Sequence, residues 1–175
     1  MKKLIATKRL ILREFDLSDA QSLYELNANP DVLKYTGDHP FASIQEAVSF
    51  LDNYYDYSVN GYGRWAVICK ESDEFLGWCG LKLNEEEMID LGFRFFQEYW
   101  GKGYATEAAE AALGYGFSQL NMHEIIGRAS IENVASIKVL EKIGMRFWKY
   151  DRCEGINETV YYRINKEKYS DLKNE

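Results

Sequence analysis

The chain has few of the residues that mark special folds: two prolines, three cysteines and two histidines among 175 residues. With so little proline and no tract of biased composition, a disordered or linker-like chain is not expected. Cys69, Cys79 and Cys153 are too scattered for a disulfide framework, and the first two fall in strand-like runs, where small core residues are predicted. His39 and His123 do not stand at metal-ligand spacing, so no metal site is predicted.

Positive charge is also scarce. The formal net charge is −7 and no basic run appears, so neither nucleic acid nor an anionic membrane is expected as a partner. The N-terminal "MKKLIATKRLILREF" begins with lysines, but Lys8 and Arg9 interrupt its apolar run, which predicts neither a signal peptide nor a membrane span. We expect a cytoplasmic protein in which local geometry holds any anionic ligand.

The chain does contain enough apolar sequence for a core. Hydrophobic residues make up 46% of the 175 residues. A chain of this length is expected to form one domain, residues 1–175, and to bury ~70% of the surface that its unfolded form exposes.

The order of the predicted elements indicates a mixed sheet. Strand-like runs between polar breaks cover residues 4–15, 64–70, 75–83, 88–96, 123–130, 146–152 and 159–165. Two helices follow the first strand: one begins at a capping box of Ser18 and Gln21 and ends at the Asn29-Pro30 pair, and the other begins at a box of Ser43 and Glu46. A third helix joins the fourth strand to the fifth, and a fourth, capped by Asn133 and closed by Gly144, follows. This order predicts an α/β (α+β) fold with a mixed, mostly antiparallel sheet of about seven strands and helices on both faces.

The stretch "YWGKGYATEAAEAALGYGF", residues 99–117, sets two glycines directly before a helical pattern. Gly101 and Gly103 let the backbone approach a ligand closely, and the N–H groups and dipole of a helix start attract anions. The P-loop pattern lacks its first glycine, and Thr106 stands where the dinucleotide fingerprint has its third. A nucleotide-binding module is therefore disfavoured, and a plain strand-to-helix turn stays open.

Longer motifs resemble a known family. "LGFRFFQEYWGKGYATEA" followed by "ENVASIKVLEKIGM" resembles the coenzyme and second-helix motifs of the GNAT superfamily of acyl-CoA N-acyltransferases. "TKRLILREFDLSDAQSLYELNANPDV" resembles the Rim-type branch, which acetylates ribosomal-protein N-termini. The motifs cover nearly the whole chain in the family's order, so the resemblance implies a single-domain GNAT-like fold.

The resemblance also implies how acetyl-CoA lies. The pyrophosphate is expected on backbone N–H groups from Trp100 to Thr106, where Lys102 either adds charge or is a solvated lysine. The pantetheine arm is expected along the edge where the fourth strand splays from the fifth, with a backbone N–H near Phe95 that polarises the thioester carbonyl. The implied coenzyme-binding residues are Phe95, Phe96, Trp100, Gly101, Lys102, Gly103, Tyr104, Ala105, Thr106 and Asn133.

Two side chains are predicted to transfer protons. A primary amine needs a general base at neutral pH, and Asp90 directly precedes "LGF", where relatives often carry a glutamate. The alternative for Asp90 is a strand-edge carboxylate in water; Glu154 and Glu158 rank below it as bases. Ser136 of the N-x-x-S motif, acting through water, is the predicted proton donor to the thiolate, because Leu140 stands where many GNAT enzymes have a tyrosine.

The leading prediction is an acetyl-CoA-dependent N-acetyltransferase that acts on a primary amine. A protein N-terminus, an aminoglycoside, a polyamine or an amino acid would suit as acceptor, and the net negative charge favours a cationic one. The alternative is a non-catalytic acyl-CoA-binding domain that acts as a sensor or scaffold, since the usual tyrosine and glutamate are missing. We expect a monomer or a homodimer.

Overall fold

One sheet of eight strands runs through the computed structural model, which describes residues 3–153 and 156–174. The strands are β1 (Lys3–Ala6), β2 (Leu10–Arg13), β3 (Arg64–Cys69), β4 (Phe75–Leu83), β5 (Ile89–Phe95), β6 (Glu124–Ser130), β7 (Arg146–Cys153) and β8 (Ile156–Asn165). Their order across the sheet is β1-β2-β3-β4-β5-β6-β8-β7. Neighbouring strands are antiparallel except β5 and β6, which are parallel. The predicted mixed, mostly antiparallel sheet is confirmed.

Helices pack on both faces of this sheet, as predicted. They are α1 (Ala20–Ala28), α2 (Pro30–Leu33), α3 (Ile44–Asp52), α4 (Asp56–Asn60), α5 (Tyr104–Ser118), α6 (Val134–Lys142) and α7 (Lys166–Asn174). On one face, α5 packs its small residues Ala108, Ala109 and Ala112 against buried sheet residues such as Trp65 and Leu81. On the other face, α1 and α3 form a separate apolar cluster that includes Trp78 of β4.

Cys69 and Cys79 are buried residues of the larger core and are not paired in a disulfide, as predicted. Burial raises the pKa of the Cys79 thiol to about 12. This thiol therefore stays protonated and packs as a small apolar group. The side chain of Cys153 lies outside the described residues.

The predicted first strand, residues 4–15, is two strands joined by a tight turn, which makes eight strands instead of seven. Thr7 N–H donates to the Leu10 carbonyl at 2.9 Å, and Leu10 N–H donates to Thr7 Oγ1 at 2.9 Å. These two bonds reverse the chain so that β1 pairs with β2. The apolar run alone did not reveal the turn.

The start of the first helix also differs from the prediction. Asp16, not Ser18, is the capping residue: its side chain accepts from Ser18 N–H at 2.8 Å, and Asp19 Oδ2 accepts from Asp16 N–H at 2.9 Å. Asp19 is only 3% exposed, and Arg13 donates to both of its oxygens at 2.7 Å, which offsets the cost of burying the carboxylate. Asp16 thus caps a short 3-10 helix, Leu17–Asp19, which leads into α1, and the cap lies two residues earlier than the Ser18–Gln21 spacing predicted.

Candidate active site

The parallel strands β5 and β6 are paired at two positions, Asp90 with Ile126 and Leu91 with Gly127, and then diverge. A cavity of about 610 Å³ is lined by the end of β5, the loop before α5 and the first turns of α5 and α6, with α2 on its far side. The structure brings together there most of the residues predicted from the sequence: Phe95, Trp100, Gly101, Gly103, Tyr104, Ala105, Thr106, Asn133 and Ser136.

The end of β5 turns one side of its backbone toward the gap left by β6. Phe96 N–H donates to the Leu76 carbonyl of β4 at 3.0 Å. Because N–H and C=O groups alternate sides along a strand, those of Phe95 point away from β4. The Phe95 carbonyl accepts from Trp100 Nε1 at 2.9 Å, which ties the loop to the strand. The N–H of Phe95 faces the divergence.

Phe96 itself does not line the cavity, although the resemblance placed it at the coenzyme site. Its N–H is used by the sheet, and its ring packs edge-on against Phe75 with 6.5 Å between the ring centroids. Phe75 belongs to the apolar cluster of α1 and α3. Because neighbouring residues of a strand point to opposite sides, Phe95 lines the cavity whereas Phe96 packs on the other face of the sheet.

The loop before α5 presents backbone N–H groups. Gly101 and Gly103 have positive φ angles of 73° and 79°, which favour glycine. Gly103 is the N-cap residue of α5 and, as a glycine, has no side chain to cap it. A helix leaves its first N–H groups without partners of its own, so those of Tyr104, Ala105 and Thr106 are suited to an anion. A Cβ at Gly101 would meet nothing within 4 Å, so the loop faces open space.

The cationic side chain that contacts the backbone of this loop is that of Arg9, and not that of Lys102. Lys102 does not line the cavity, and its ammonium lies 5.6 Å from the centroid of the Tyr99 ring. Arg9, in the turn between β1 and β2, donates from Nη1 to the Lys102 carbonyl at 3.0 Å. Its Cζ lies 4.3 Å from the centroid of the Tyr104 ring. The sequence offered only one sign of Arg9, its place in the N-terminal motif.

Glu107, in the first turn of α5, anchors the β1–β2 turn. Its Oε1 accepts from Thr7 Oγ1 at 2.6 Å and from Arg9 N–H at 2.8 Å, and its Oε2 accepts from Arg9 Nε at 2.6 Å. Burial disfavours the anion, but the hydrogen bonds from Thr7 and Arg9 outweigh burial and lower the pKa of Glu107 below its ordinary value of 4.5. Charge-assisted bonds thus join the start of α5 to the edge of the sheet.

Asp90 lies outside the cavity, in a network of ion pairs. Its Oδ2 accepts from Arg64 Nη2 at 3.0 Å and from Arg128 Nη2 at 3.3 Å. Arg64 Nη1 also donates to the backbone carbonyl of Asp90 at 2.7 Å. Asp90 is 6% exposed, so the alternative of a strand-edge carboxylate in water is wrong. Its Oδ1 is buried without a hydrogen-bond partner among the residues that the structure describes.

The start of α6 places the second motif on the cavity. Asn133 caps the helix as predicted, because its Oδ1 accepts from Ser136 N–H at 3.1 Å. Ser136 is half-buried and lines the cavity. Leu140 is 1% exposed and packs over Gly127, where an added Cβ would lie 2.7 Å from Leu140 Cδ2. Position 140 therefore belongs to the core.

The lower-ranked bases do not meet this cavity. Glu154 lies outside the described residues. Glu158 is exposed on β8 and is absent from the cavity lining; its carbonyl accepts from Ile131 N–H at 3.2 Å.

The cavity is basic although the protein is acidic. Its lining includes Lys34, Arg94, Lys138 and Lys142 but only one carboxylate, that of Asp31. Arg94 is paired with Asp38, whereas Lys138 and Lys142 are exposed on α6. Together with the N–H groups of the loop, these cations suit a ligand with several phosphate groups.

Within residues 3–153 and 156–174, no group of three or more His, Cys, Asp or Glu side chains is arranged to hold a metal ion. In the same ranges, no helix combines the length and apolar character needed to cross a membrane.

A family model described as an acetyltransferase (GNAT) domain matches residues 9–146. The chain belongs to the GNAT acetyltransferase family. An uncharacterized N-acetyltransferase, p20 of Bacillus licheniformis, is 32% identical over 172 residues, which cover 94% of this GNAT chain and 97% of that protein. The chain is thus an N-acetyltransferase. The names of its relatives do not assign it to the Rim-type branch.

Solved structures show the same GNAT fold. A GNAT-family acetyltransferase from Bacillus anthracis, 31% identical, superposes with a TM-score of 0.80 over 93% of this chain and 98% of that one. Spermidine N-acetyltransferase from Vibrio cholerae, in complex with CoA and spermine, superposes with a TM-score of 0.78 over 94% of this chain and 99% of that one. At 23% identity, the second likeness shows the shared fold.

The anchoring role of Glu107 predicts a pH-dependent effect on stability. Because its folded pKa is below 4.5, the carboxylate raises the free energy of unfolding above that pH, and this contribution is lost as the pH falls through the lowered pKa. At pH 7 we expect Glu107→Gln to lower the free energy of unfolding by about 1.5–3 kcal/mol, the range for hydrogen bonds to a charged group. The difference from the unmodified chain should shrink in acid.

Urea unfolding over a pH series measures this difference. Glu110→Gln is the matched control, because Glu110 lies on the same helix with its side chain 49% exposed. An exposed ion pair contributes about 0–1 kcal/mol, so this control should change little. A loss for Glu107→Gln that is the same at every pH would contradict the anchoring role of the charge.

Proposed function

We propose that the protein transfers the acetyl group of acetyl-CoA to a primary amine, either a small molecule or a protein N-terminus. The observation that carries this proposal is the cavity itself. The glycine loop, the uncapped start of α5 and the unpaired edge of β5 converge on it. Acetyl-CoA supplies a thioester when bound, and the residues around the cavity provide contacts for each part of it.

The pyrophosphate is proposed to lie on the backbone N–H groups from Gly101 to Thr106. The N–H of Trp100 is left out because it donates to the Gln97 carbonyl at 3.1 Å. Support comes from the open space at Gly101 and from the absence of a side chain on the N-cap residue Gly103. The exposed ammonium groups of Lys138 and Lys142 add positive charge to the cavity wall.

The pantetheine arm is proposed to follow β5 as an added strand would, with Asn133 on its other side. Asn133 uses its oxygen for the helix cap, so its NH₂ group is the part suited to a ligand carbonyl. Phe95 N–H then holds the thioester carbonyl and the negative charge that develops on it during transfer.

Asp90 remains the proposed general base. Because it does not line the cavity, it would act on the amine through water, by way of Oδ1, since Oδ2 is used by two guanidinium groups. The amine must lose a proton to attack, since an ordinary amine is protonated at neutral pH. Ser136 is the proposed proton donor to the leaving thiolate, because it lines the cavity whereas Leu140 is in the core.

Spermine in the Vibrio cholerae structure, which shares the fold, supports polyamines as the first acceptors to test. The net charge of −7 also favours a cationic acceptor. A panel of polyamines, amino acids, aminoglycosides and N-terminal peptides with acetyl-CoA, assayed by release of free thiol, tests the function. We expect turnover with at least one class. Binding of CoA without turnover on any class would favour the sensor or scaffold alternative.

Gly103→Val should abolish CoA binding. Valine at a φ of 79° costs roughly 1–2 kcal/mol of strain, and its Cβ would lie 3.4 Å from Arg9 Nη2, so the loop would have to leave the conformation that presents its N–H groups. The control is Gly61→Val: Gly61 has the same φ of 79° with open space around it, at the end of α4. Calorimetry should show CoA binding by the control and none by Gly103→Val. Equal affinity in both variants would remove the loop from the site.

Asp90→Asn should lower kcat per folded molecule by ~10² near neutral pH, with partial recovery at high pH, where more amine is already deprotonated. The control is Asp19→Asn, the other buried aspartate paired with an arginine. Breaking either pair should destabilise the fold, by up to about 3–5 kcal/mol, but the control should keep its kcat. If Asp90→Asn also keeps its kcat, Asp90 serves the ion pairs alone.

Ser136→Ala should slow turnover ~10-fold to ~100-fold and leave the melting temperature and the CoA affinity unchanged. The cap survives this change because Asn133 accepts from the backbone N–H of residue 136, not from its hydroxyl. Melting temperature and kcat are measured on one preparation. An unaltered kcat would remove the hydroxyl from the reaction.

A further inference from the structure

Arg9 places a cation where a helix already carries partial positive charge. Its Nη1 donates to the Lys102 carbonyl at 3.0 Å, and its Nη2 lies 3.4 Å from the position of a Cβ on Gly103, the N-cap of α5. A cation at the N-terminal end of a helix is unfavourable by itself, because the helix dipole favours anions there, and the pairing of Arg9 Nε with Glu107 in the first turn of α5 offsets part of this cost. The N-terminus of α5 and the Arg9 guanidinium both give this loop a positive potential, and the arrangement becomes favourable when an anion binds beside the loop.

The position of Arg9 is fixed from several sides. Its backbone N–H and its Nε both donate to Glu107, at 2.8 Å and 2.6 Å. Its carbonyl accepts from Lys70 N–H at 2.9 Å, which holds the turn to β3. Its guanidinium plane lies against the Tyr104 ring. The side chain, 39% exposed, is therefore held against the loop instead of moving freely in solvent.

The two ends of the guanidinium serve different partners. Nε with Glu107 joins the turn to α5, whereas Nη1 and Nη2 face the loop residues 102 and 103. A bond to Glu107 alone would be enough to fasten the turn. The bond to the Lys102 carbonyl acts on the loop itself, because it fixes the peptide plane whose N–H belongs to Gly103.

We propose that Arg9 is a positioning residue of the coenzyme site: it orients the N–H groups of the glycine loop toward the pyrophosphate and adds its charge to their attraction. Arg9 does not line the cavity, so it acts from behind the loop. Lys102, for which the sequence left open either added charge or a solvated side chain, has its ammonium 5.6 Å from the centroid of the Tyr99 ring and does not line the cavity. The inference rests on the proposed CoA site.

The test compares Arg9→Gln, Arg9→Lys and Lys8→Gln. Lys8→Gln removes the same charge from the neighbouring exposed residue of the turn and is the matched control. Calorimetry measures the Kd for CoA, and a titration followed by NMR measures the Kd for pantetheine, which lacks the pyrophosphate. Melting temperatures are recorded for all variants.

We expect Arg9→Gln to raise the Kd for CoA at least ~10-fold and to leave the Kd for pantetheine unchanged, because only CoA reaches the loop. Arg9→Lys should recover part of the affinity, since lysine keeps the charge but lacks the planar fork that reaches both Glu107 and the loop. Lys8→Gln should bind CoA as the unmodified chain does.

Three outcomes would overturn the inference. An unchanged Kd for CoA in Arg9→Gln refutes it while the proposed function stands. Equal weakening for CoA and pantetheine, with a lower melting temperature, assigns Arg9 to the fold alone. Failure of the unmodified chain to bind CoA removes the proposed coenzyme site and this inference with it.

Discussion

The divergence of β5 from β6 is the constraint on which the rest of the site depends. Two residues on each strand are paired, after which the backbone of β5 has a neighbour on one side and a cavity on the other. Unpaired backbone groups inside a protein are costly unless they find partners. The Trp100 indole satisfies the Phe95 carbonyl from the loop side. The N–H on the same side is then directed at whatever occupies the cavity. Because α5 and α6 both begin beside this gap, their first turns supply the remaining polar wall.

Charge is arranged by face. Arg13, Arg64, Arg94 and Arg128 alternate with residues of the α5-side core and therefore lie on the opposite face of the sheet. Each is paired with a carboxylate, which offsets the cost of burying a guanidinium. The lysines of α6 are instead exposed on the cavity. An acidic protein thus has a basic cavity, because the lysines that line it on α6 are exposed whereas these arginines are paired with carboxylates.

Leu140 illustrates how one substitution changes the chemistry available to the family. Its side chain fills the space above Gly127, and any side chain at position 127 would collide with it. A tyrosine hydroxyl is therefore not available from this position, which supports the proposal that a group at the start of α6 returns the proton to the thiolate. Ser136 is one turn earlier on the same helix and faces the cavity.

The sequence by itself determined the order of most strands and of the longer helices α1, α3, α5 and α6, the loop that begins α5 and the Asn133 cap. These features depend on local chemistry: glycine at positive φ, an amide that caps the next turn, and apolar periodicity. Only the tertiary structure decided which side chains pair with each other. Arg9 meets Glu107 across 98 positions of sequence, and Asp90 meets Arg64 and Arg128 across 26 and 38. Whether Phe95 or Phe96 faces the cavity depended on strand register, because a shift of one residue moves a side chain to the other face. The α7 helix and the turn at Thr7 were not predicted because contacts distant in sequence stabilise both. Tyr169 of α7 packs on Phe117 with 5.0 Å between the ring centroids, and Thr7 donates to Glu107.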